Sequence, residues 1–167
     1  MFHSFDIVLV AGLYGSGKTQ YVNKYFKGQN RIRVSRFEVR KALFEMTNYG
    51  KKWHAANFSE EDDILVKHIE RKIIEHNIQK KNKVLVINTF ISEKSRKRFI
   101  NLAKDHHKTI GIIFLDIPIE TCISQNVDKS DIVPEQVIRF LNQKKVLPSK
   151  REGFNEVMIL NKFDPVG

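Results

Sequence analysis

Eight consecutive residues, Gly12-Leu13-Tyr14-Gly15-Ser16-Gly17-Lys18-Thr19, constrain this chain more than any other part of it. They satisfy the pattern G-x-x-x-x-G-K-[ST] in full. The apolar run "DIVLVA" precedes them and the helix-forming run "QYVNKY" follows. Glycines are required in such a turn because backbone amides must face inward and approach phosphate oxygens with no side chain in the way. A helix that opens at the end of the turn points its positive end at the same anion. Lys18 is then placed to bridge the β- and γ-phosphates, and the Thr19 hydroxyl to hold Mg²⁺. Gly12 to Thr19 are therefore the candidate site for ATP or another nucleoside triphosphate. Thr19 is its metal contact, and Lys18 is also a candidate catalytic charge.

The rest of the chain alternates apolar runs with helix-period segments. Strands are expected at 6–11, 31–34, 84–88, 109–115 and 156–160. Helices are expected at 18–26, 37–45, from Ser59 onward, 92–106, 119–125 and 134–142. Ser59, followed by Glu60, Glu61 and Asp62, supplies an N-cap and an acidic first turn. The buried face of that long helix is expected at Ile64, Leu65, Ile69, Ile73 and Ile74, and that of the preceding one at Val39, Leu43 and Met46. Short strands that are apolar on both faces and separated by helices indicate a parallel sheet covered on both sides. The expectation is one α/β domain over residues 1–167. It has three layers, five parallel strands, and its ligands outside the carboxyl ends of the strands.

Composition narrows the partners. With 41% hydrophobic and 29% charged residues the chain is globular. It has no apolar run of membrane-spanning length. The amino-terminal apolar run leads straight into the glycine turn, so it reads as a core strand and not as a signal peptide. The single Cys122 permits no internal disulfide and fits a reducing cytosol, which makes the expected location cytoplasmic; it reads as a small helix residue. A formal charge of +10 suits a polyanionic partner such as nucleic acid. Runs such as "SRKRF" (95–99) read as solvated faces. Between the second and third helices Tyr49, Lys51, Lys52, Trp53, His54 and Phe58 interleave aromatic and basic groups. Trp53 is the candidate platform for stacking a base, its alternative being a cover over the core. His106-His107 reads as a helix C-cap.

Function class follows by elimination. A motor or AAA-type ATPase usually needs more chain and an oligomer. A switch GTPase needs Asn-Lys-x-Asp, and "LNKFD" (160–164) does not supply it. A small kinase remains, with a short lid and an acid that activates an acceptor hydroxyl. At this point "GLYGSGKT", "RVSRFEVRKALF" (33–44), "VLVINTFISEKSRKRF" (84–99), "IFLDIPIETCISQN" (113–126) and "VPEQVIRFLNQKKVLPSKREGFNEV" (133–157) recur in an informative order. Together they resemble the P-loop kinases typified by the 5′-hydroxyl polynucleotide kinase domains of bacteriophage and bacterial nucleic-acid repair enzymes. The resemblance implies a P-loop kinase fold with a short lid, ATP and Mg²⁺ as cofactors, and the 5′ end of DNA or RNA as acceptor.

It also implies site residues, with departures. The family reads roughly Asp-Asp-x-x-Arg after its second strand, the first acid being the base and the arginine gripping a substrate phosphate. Here Arg40 matches the arginine, but Phe37 stands at the base and Glu38 at the second acid. Glu38 is the candidate base. On a helix, though, one residue turns a side chain by about 100°, and its alternative role is to complement the helix dipole. Where the family has Asp-Thr-Asn, this chain has Asn88-Thr89-Phe90. Thr89 keeps a hydroxyl for a substrate phosphate, while Asn88 has no charge. In the lid Gln125-Asn126-Val127-Asp128-Lys129 replaces an arginine-bearing pattern, and Lys129 alone keeps a cation for the nucleotide. Two alternatives follow: a catalytically weakened nucleotide- or nucleic-acid-binding module, and a small-molecule kinase acting on a nucleoside or sugar. The oligomeric state, and whether a partner chain supplies a missing arginine, stay open.

Overall fold

Residues 2–126 and 133–163 are described by the computed structural model. Five parallel strands form one sheet in the order β2-β3-β1-β4-β5: β1 (Ile7–Gly12), β2 (Arg31–Ser35), β3 (Lys83–Ile87), β4 (Ile110–Leu115) and β5 (Glu156–Leu160). Six helices connect them: α1 (Lys18–Tyr25), α2 (Arg36–Thr47), α3 (Glu60–Gln79), α4 (Glu93–Asp105), α5 (Ile119–Gln125) and α6 (Glu135–Lys144). The expected α/β sheet is thus present, with element boundaries within a few residues of expectation. The lid expected around Lys129 falls outside the described residues. No helix among them is long and apolar enough to cross a membrane.

The two-residue period of a strand sorts the core. Ile7, Leu9 and Ala11 of β1 face one layer with Val84, Val86, Ile110, Ile112 and Phe114, packed by Ile74 and Ile78 of α3 and Phe99 and Ile100 of α4. Val8 and Val10 face the other layer with Leu85, Ile87, Ile113 and Leu115, packed by Tyr21 and Val22 of α1, Cys122 of α5 and Ile138 of α6. Helices on both faces explain why the three central strands are buried throughout, apart from Lys83 at the start of β3. The edge strands depart from expectation. Only Val34 is buried in β2, and no residue is in β5, because each lacks a neighbouring strand on one side.

Because the chain leaves β1 toward β2 but leaves β3 toward β4, right-handed crossovers send α1 and α4 to opposite faces. A crevice opens between the loops that follow β1 and β3. It is the site described below.

Two expected helix faces need correction. The buried stripe of α3 is Val66, Glu70, Ile74 and Ile78, while Ile64 and Leu65 are exposed at 71% and 46%. The stripe was masked in the sequence by Glu70, which reads as polar. It is buried because Arg36 of α2 pairs with it at 2.8 Å. In α2 nothing is fully buried and Met46 is 73% exposed. Nor is "SRKRF" a solvated face throughout. Arg96 is fully buried, donating to both carboxylate oxygens of Glu152 at 2.8 and 3.1 Å and to the carbonyls of Phe90 and Val146 at 2.8 Å each. His106 does cap α4 at its C-terminus.

A buried cation without its partner costs about 3–5 kcal/mol, whereas replacing the whole pair by apolar groups costs far less. Glu152→Ala should therefore lower unfolding free energy by roughly that amount, and the double variant R96M/E152L should recover most of the loss, as read by urea denaturation.

Candidate functional site

A cleft of about 370 Å³ opens where expected. Its first wall is the glycine turn. β1 is fully buried up to Ala11, so the turn is held at the sheet's edge by hydrogen bonds on both sides of the strand, and Gly12 N–H also donates to the Thr89 carbonyl at 3.1 Å. Gly15 adopts φ 82° and lies so close to α5 that a β-carbon there would fall 2.1 Å from the Cys122 carbonyl oxygen. Gly17, at φ 94°, is the N-cap of α1 and brings the first amides of that helix into the turn. A helix's first amides have no intrahelical partner. Among the described residues, the Gly15 and Gly17 amides donate to no other backbone group.

Lys18 folds back across the turn, its ammonium donating to the carbonyls of Gly12 and Leu13 at 2.8 Å each and lying 5.5 Å from the Tyr14 ring centre. Thr19 is exposed and lines the cleft, and the Ser16 hydroxyl is buried in the turn with no hydrogen-bond partner. Inward amides, a lysine at the rim and an orphaned hydroxyl fit a triphosphate. For Mg²⁺ the chain offers Thr19; Glu38 is the one carboxylate among the described lining residues, so phosphate oxygens and water would complete the shell.

The opposite wall is β2 and the start of α2, where Ser35 caps the helix by accepting from the Glu38 amide. Ser35, Phe37, Glu38, Arg40 and Lys41 line the cleft from here, with Ile87, Asn88 and Thr89 as its floor and Asn126 and Val133 at its end. Glu38 binds Arg33 through both oxygens, at 2.6 and 2.9 Å. These hydrogen bonds raise the Arg33 guanidinium above its ordinary pKa, against a smaller opposing effect of burial. The pair is half exposed, 38% and 56%, and pairs of that kind are worth about 1 kcal/mol or less; Glu38 is cheap to release.

Arg40 is held more firmly. Its Nε and Nη2 donate to Asp63 Oδ1 at 3.0 and 2.7 Å, both side chains are mostly buried, and the guanidinium lies 5.3 Å from the Phe58 ring centre. At the floor, Asn88 turns its side-chain oxygen back to the Thr89 amide at 2.8 Å.

Of the expected residues, Gly15, Gly17, Lys18, Thr19, Tyr14, Glu38, Arg40 and Thr89 meet in this one cleft. Gly12, Leu13 and Ser16 form the turn behind it. Trp53 does not line it. At 6% exposure, set edge-to-face on Phe37 with ring centres 5.3 Å apart, it is a brace and not an open platform. Lys129 lies outside the described residues.

Sequence reasoning missed Gln20, Lys41 and Asn126 in the lining. Their adjacency to Thr19, Arg40 and the lid segment was the available signal. Asn126 donates to the Val133 carbonyl at 2.6 Å and accepts from its amide at 3.4 Å, which pins together the residues on either side of 127–132. Behind the turn, burial pushes the Cys122 thiol up to about 11 despite the opposing charges of Lys18 and Lys145, so at neutral pH it is a protonated core group.

Sheet order, turn and cleft define a P-loop nucleotide-binding domain of kinase-like architecture. The model of the family described as AAA domain matches residues 7–146, and the chain belongs to that family. The matched stretch spans β1 to β4 and the helices α1 to α6.

Solved structures share the fold. A putative kinase from Chloroflexus aurantiacus j-10-fl superposes with a TM-score of 0.70 at 12% identity, over 96% of this chain and 92% of that one. An unliganded sugar kinase from Janibacter sp. HTCC2649 gives 0.67 at 12% identity, over 96% and 87%. A chain of the Pnkp1/Rnl/Hen1 RNA repair complex gives 0.66 at 15% identity, over 83% of this chain but 43% of that one. At such identities the likeness is one of fold.

Two outcomes test the turn. Gly15→Ala should weaken ATP binding roughly tenfold or more, as a backbone strain of about 1–3 kcal/mol requires, measured by equilibrium binding. For Cys122 the raised pKa means that the unfolded chain loses the proton first. Stability relative to Cys122→Ala should therefore be level below pH 9 and fall as pH rises from 9 toward 11, as read by denaturant unfolding.

Proposed function

We propose that this protein is an ATP- and Mg²⁺-dependent phosphotransferase that moves the γ-phosphate of a nucleoside triphosphate to the 5′-hydroxyl end of DNA or RNA. The observation that carries this reading is that Lys18 and Thr19 on one wall share a single cleft with Glu38, Arg40 and Thr89 on the other. The net charge of +10 favours a nucleic acid over a neutral metabolite. The ordered segments resemble polynucleotide kinases, and a chain of an RNA repair complex has the same fold.

When bound, the metal-nucleotide complex supplies the phosphoryl group. Around it, the turn's amides and Lys18 balance the charge that spreads over the phosphate oxygens during transfer. Lys18 reaches them by leaving the Gly12 and Leu13 carbonyls. Glu38, released from Arg33, takes the proton of the acceptor hydroxyl as the hydroxyl oxygen bonds to the γ-phosphorus and the nucleoside diphosphate leaves with the β–γ bridging oxygen and its electron pair. A loose transition state asks little of that base. The Thr89 hydroxyl and Arg40 hold an acceptor phosphate, Arg40 by exchanging Asp63 for it. Lys129 is the proposed lid cation.

A second reading, a nucleotide-binding module with weakened transfer, rests on Phe37 and Asn88, which stand where the family has acids, and on the pairing of Arg40.

With γ-labelled ATP, a 5′-hydroxyl oligonucleotide should become labelled, and Lys18→Ala should lower the rate at least about a hundredfold. Labelling of sugars alone would place the chain with small-molecule kinases. ATP binding without transfer to any acceptor would favour the second reading, and activity gained by Phe37→Asp would then locate the missing base.

A further inference from the structure

The acceptor wall is short of charge to offer. Arg33 pairs with Glu38, Arg36 with Glu70 and Arg40 with Asp63, so the arginines from Arg33 through the first turns of α2 each already have a carboxylate. What stands among these neutralised pairs is the Phe37 ring, lining the cleft and fixed from behind by Trp53 at 84° between ring planes. A braced aromatic ring in a polar cleft is a surface for another flat ring, and stacking on it does not depend on charge. The Lys41 ammonium lies 6.0 Å from the Phe37 ring centre. Gln20, from α1, lines the same cleft, and its carboxamide oxygen is shielded from solvent without a hydrogen-bond partner. A carboxamide carries both donors and an acceptor, the complement of a base edge.

We infer that Phe37 and Gln20 form a nucleobase subsite, so that the acceptor is recognised through the base of its terminal nucleoside and not through its sugar and phosphates alone. The inference rests on the reading of the cleft as an acceptor site. Phe37, where related kinases carry an acid, thereby becomes a specificity-determining residue, and Trp53 the positioning residue behind it.

The experiment compares two 5′-hydroxyl oligonucleotides, one with an ordinary terminal nucleoside and one with an abasic tetrahydrofuran terminus, as acceptors for γ-labelled ATP. Stacking of the usual strength predicts a loss of kcat/KM of about tenfold or more for the abasic end. Phe37→Leu should remove that discrimination and Phe37→Trp should keep it. Equal rates for the two ends with the unaltered protein would overturn the inference, and that comparison needs no variant to fold.

A second readout does not need transfer. Trp53 is the only tryptophan in the chain and touches Phe37. With a non-hydrolysable ATP analogue saturating the loop, adding adenosine should change its fluorescence saturably, and adding ribose should not. A response to adenosine without transfer to any acceptor would leave the subsite standing and remove the kinase reading. Transfer that ignores the terminal base, with no response to adenosine, would do the reverse.

Discussion

The structure depends on β1 being buried on both faces. Ile7, Val8, Leu9, Val10 and Ala11 are each 0% exposed, between β3 on one side and β4 on the other. A strand so enclosed cannot shift along its axis without breaking two ladders and two packed layers. Its carboxyl end therefore fixes where the glycine turn stands, and the turn fixes the start of α1. Gly12 and Gly15 are caught between that strand, Leu115 and the α5 backbone at distances that exclude a β-carbon. The phosphate-binding half of the site is rigid because the sheet is.

The opposite wall of the cleft is built on a different principle. Its elements, β2 and α2, lie at the sheet's edge and bury little, and they are held by ion pairs of graded strength. Glu70 is 1% exposed and holds Arg36 from the core side; Asp63 holds Arg40 at an intermediate depth; the Arg33–Glu38 pair is open to water. Desolvation sets the order in which these pairs can open. The group offered as the base is on the loosest pair, and the group offered as a phosphate clamp is on a tighter one. A wall of this kind can adjust while the loop opposite stays still.

The legible features were local ones. The strands over 84–88 and 109–115 could be read because they are apolar on both faces, which requires cover on both sides. The Ser59 cap was legible because capping is settled within four residues. What failed depended on distant partners. Val66, Glu70, Ile74 and Ile78 were not seen as one stripe, since a carboxylate enters a core only when a cation meets it there, and Arg36 is 34 residues away. Arg96 was placed in water for the same reason, its partners lying at Val146 and Glu152. Trp53 was equally balanced between platform and cover, and its contact with Phe37 decided for cover.

The sequence by itself determined the nucleotide loop, from Gly12 to Thr19, because eight contiguous residues carry the whole of its chemistry. It also determined the parallel sheet, because burial on both faces is written into each central strand. It singled out Phe37 as a departure from the motif of the kinases that the chain resembles. Only the tertiary structure decided what that phenylalanine is beside. A bracing indole 16 residues further along the chain touches it and a carboxamide 17 residues before it lines the same cleft, and spatial neighbours at that range are set by packing and not by local pattern.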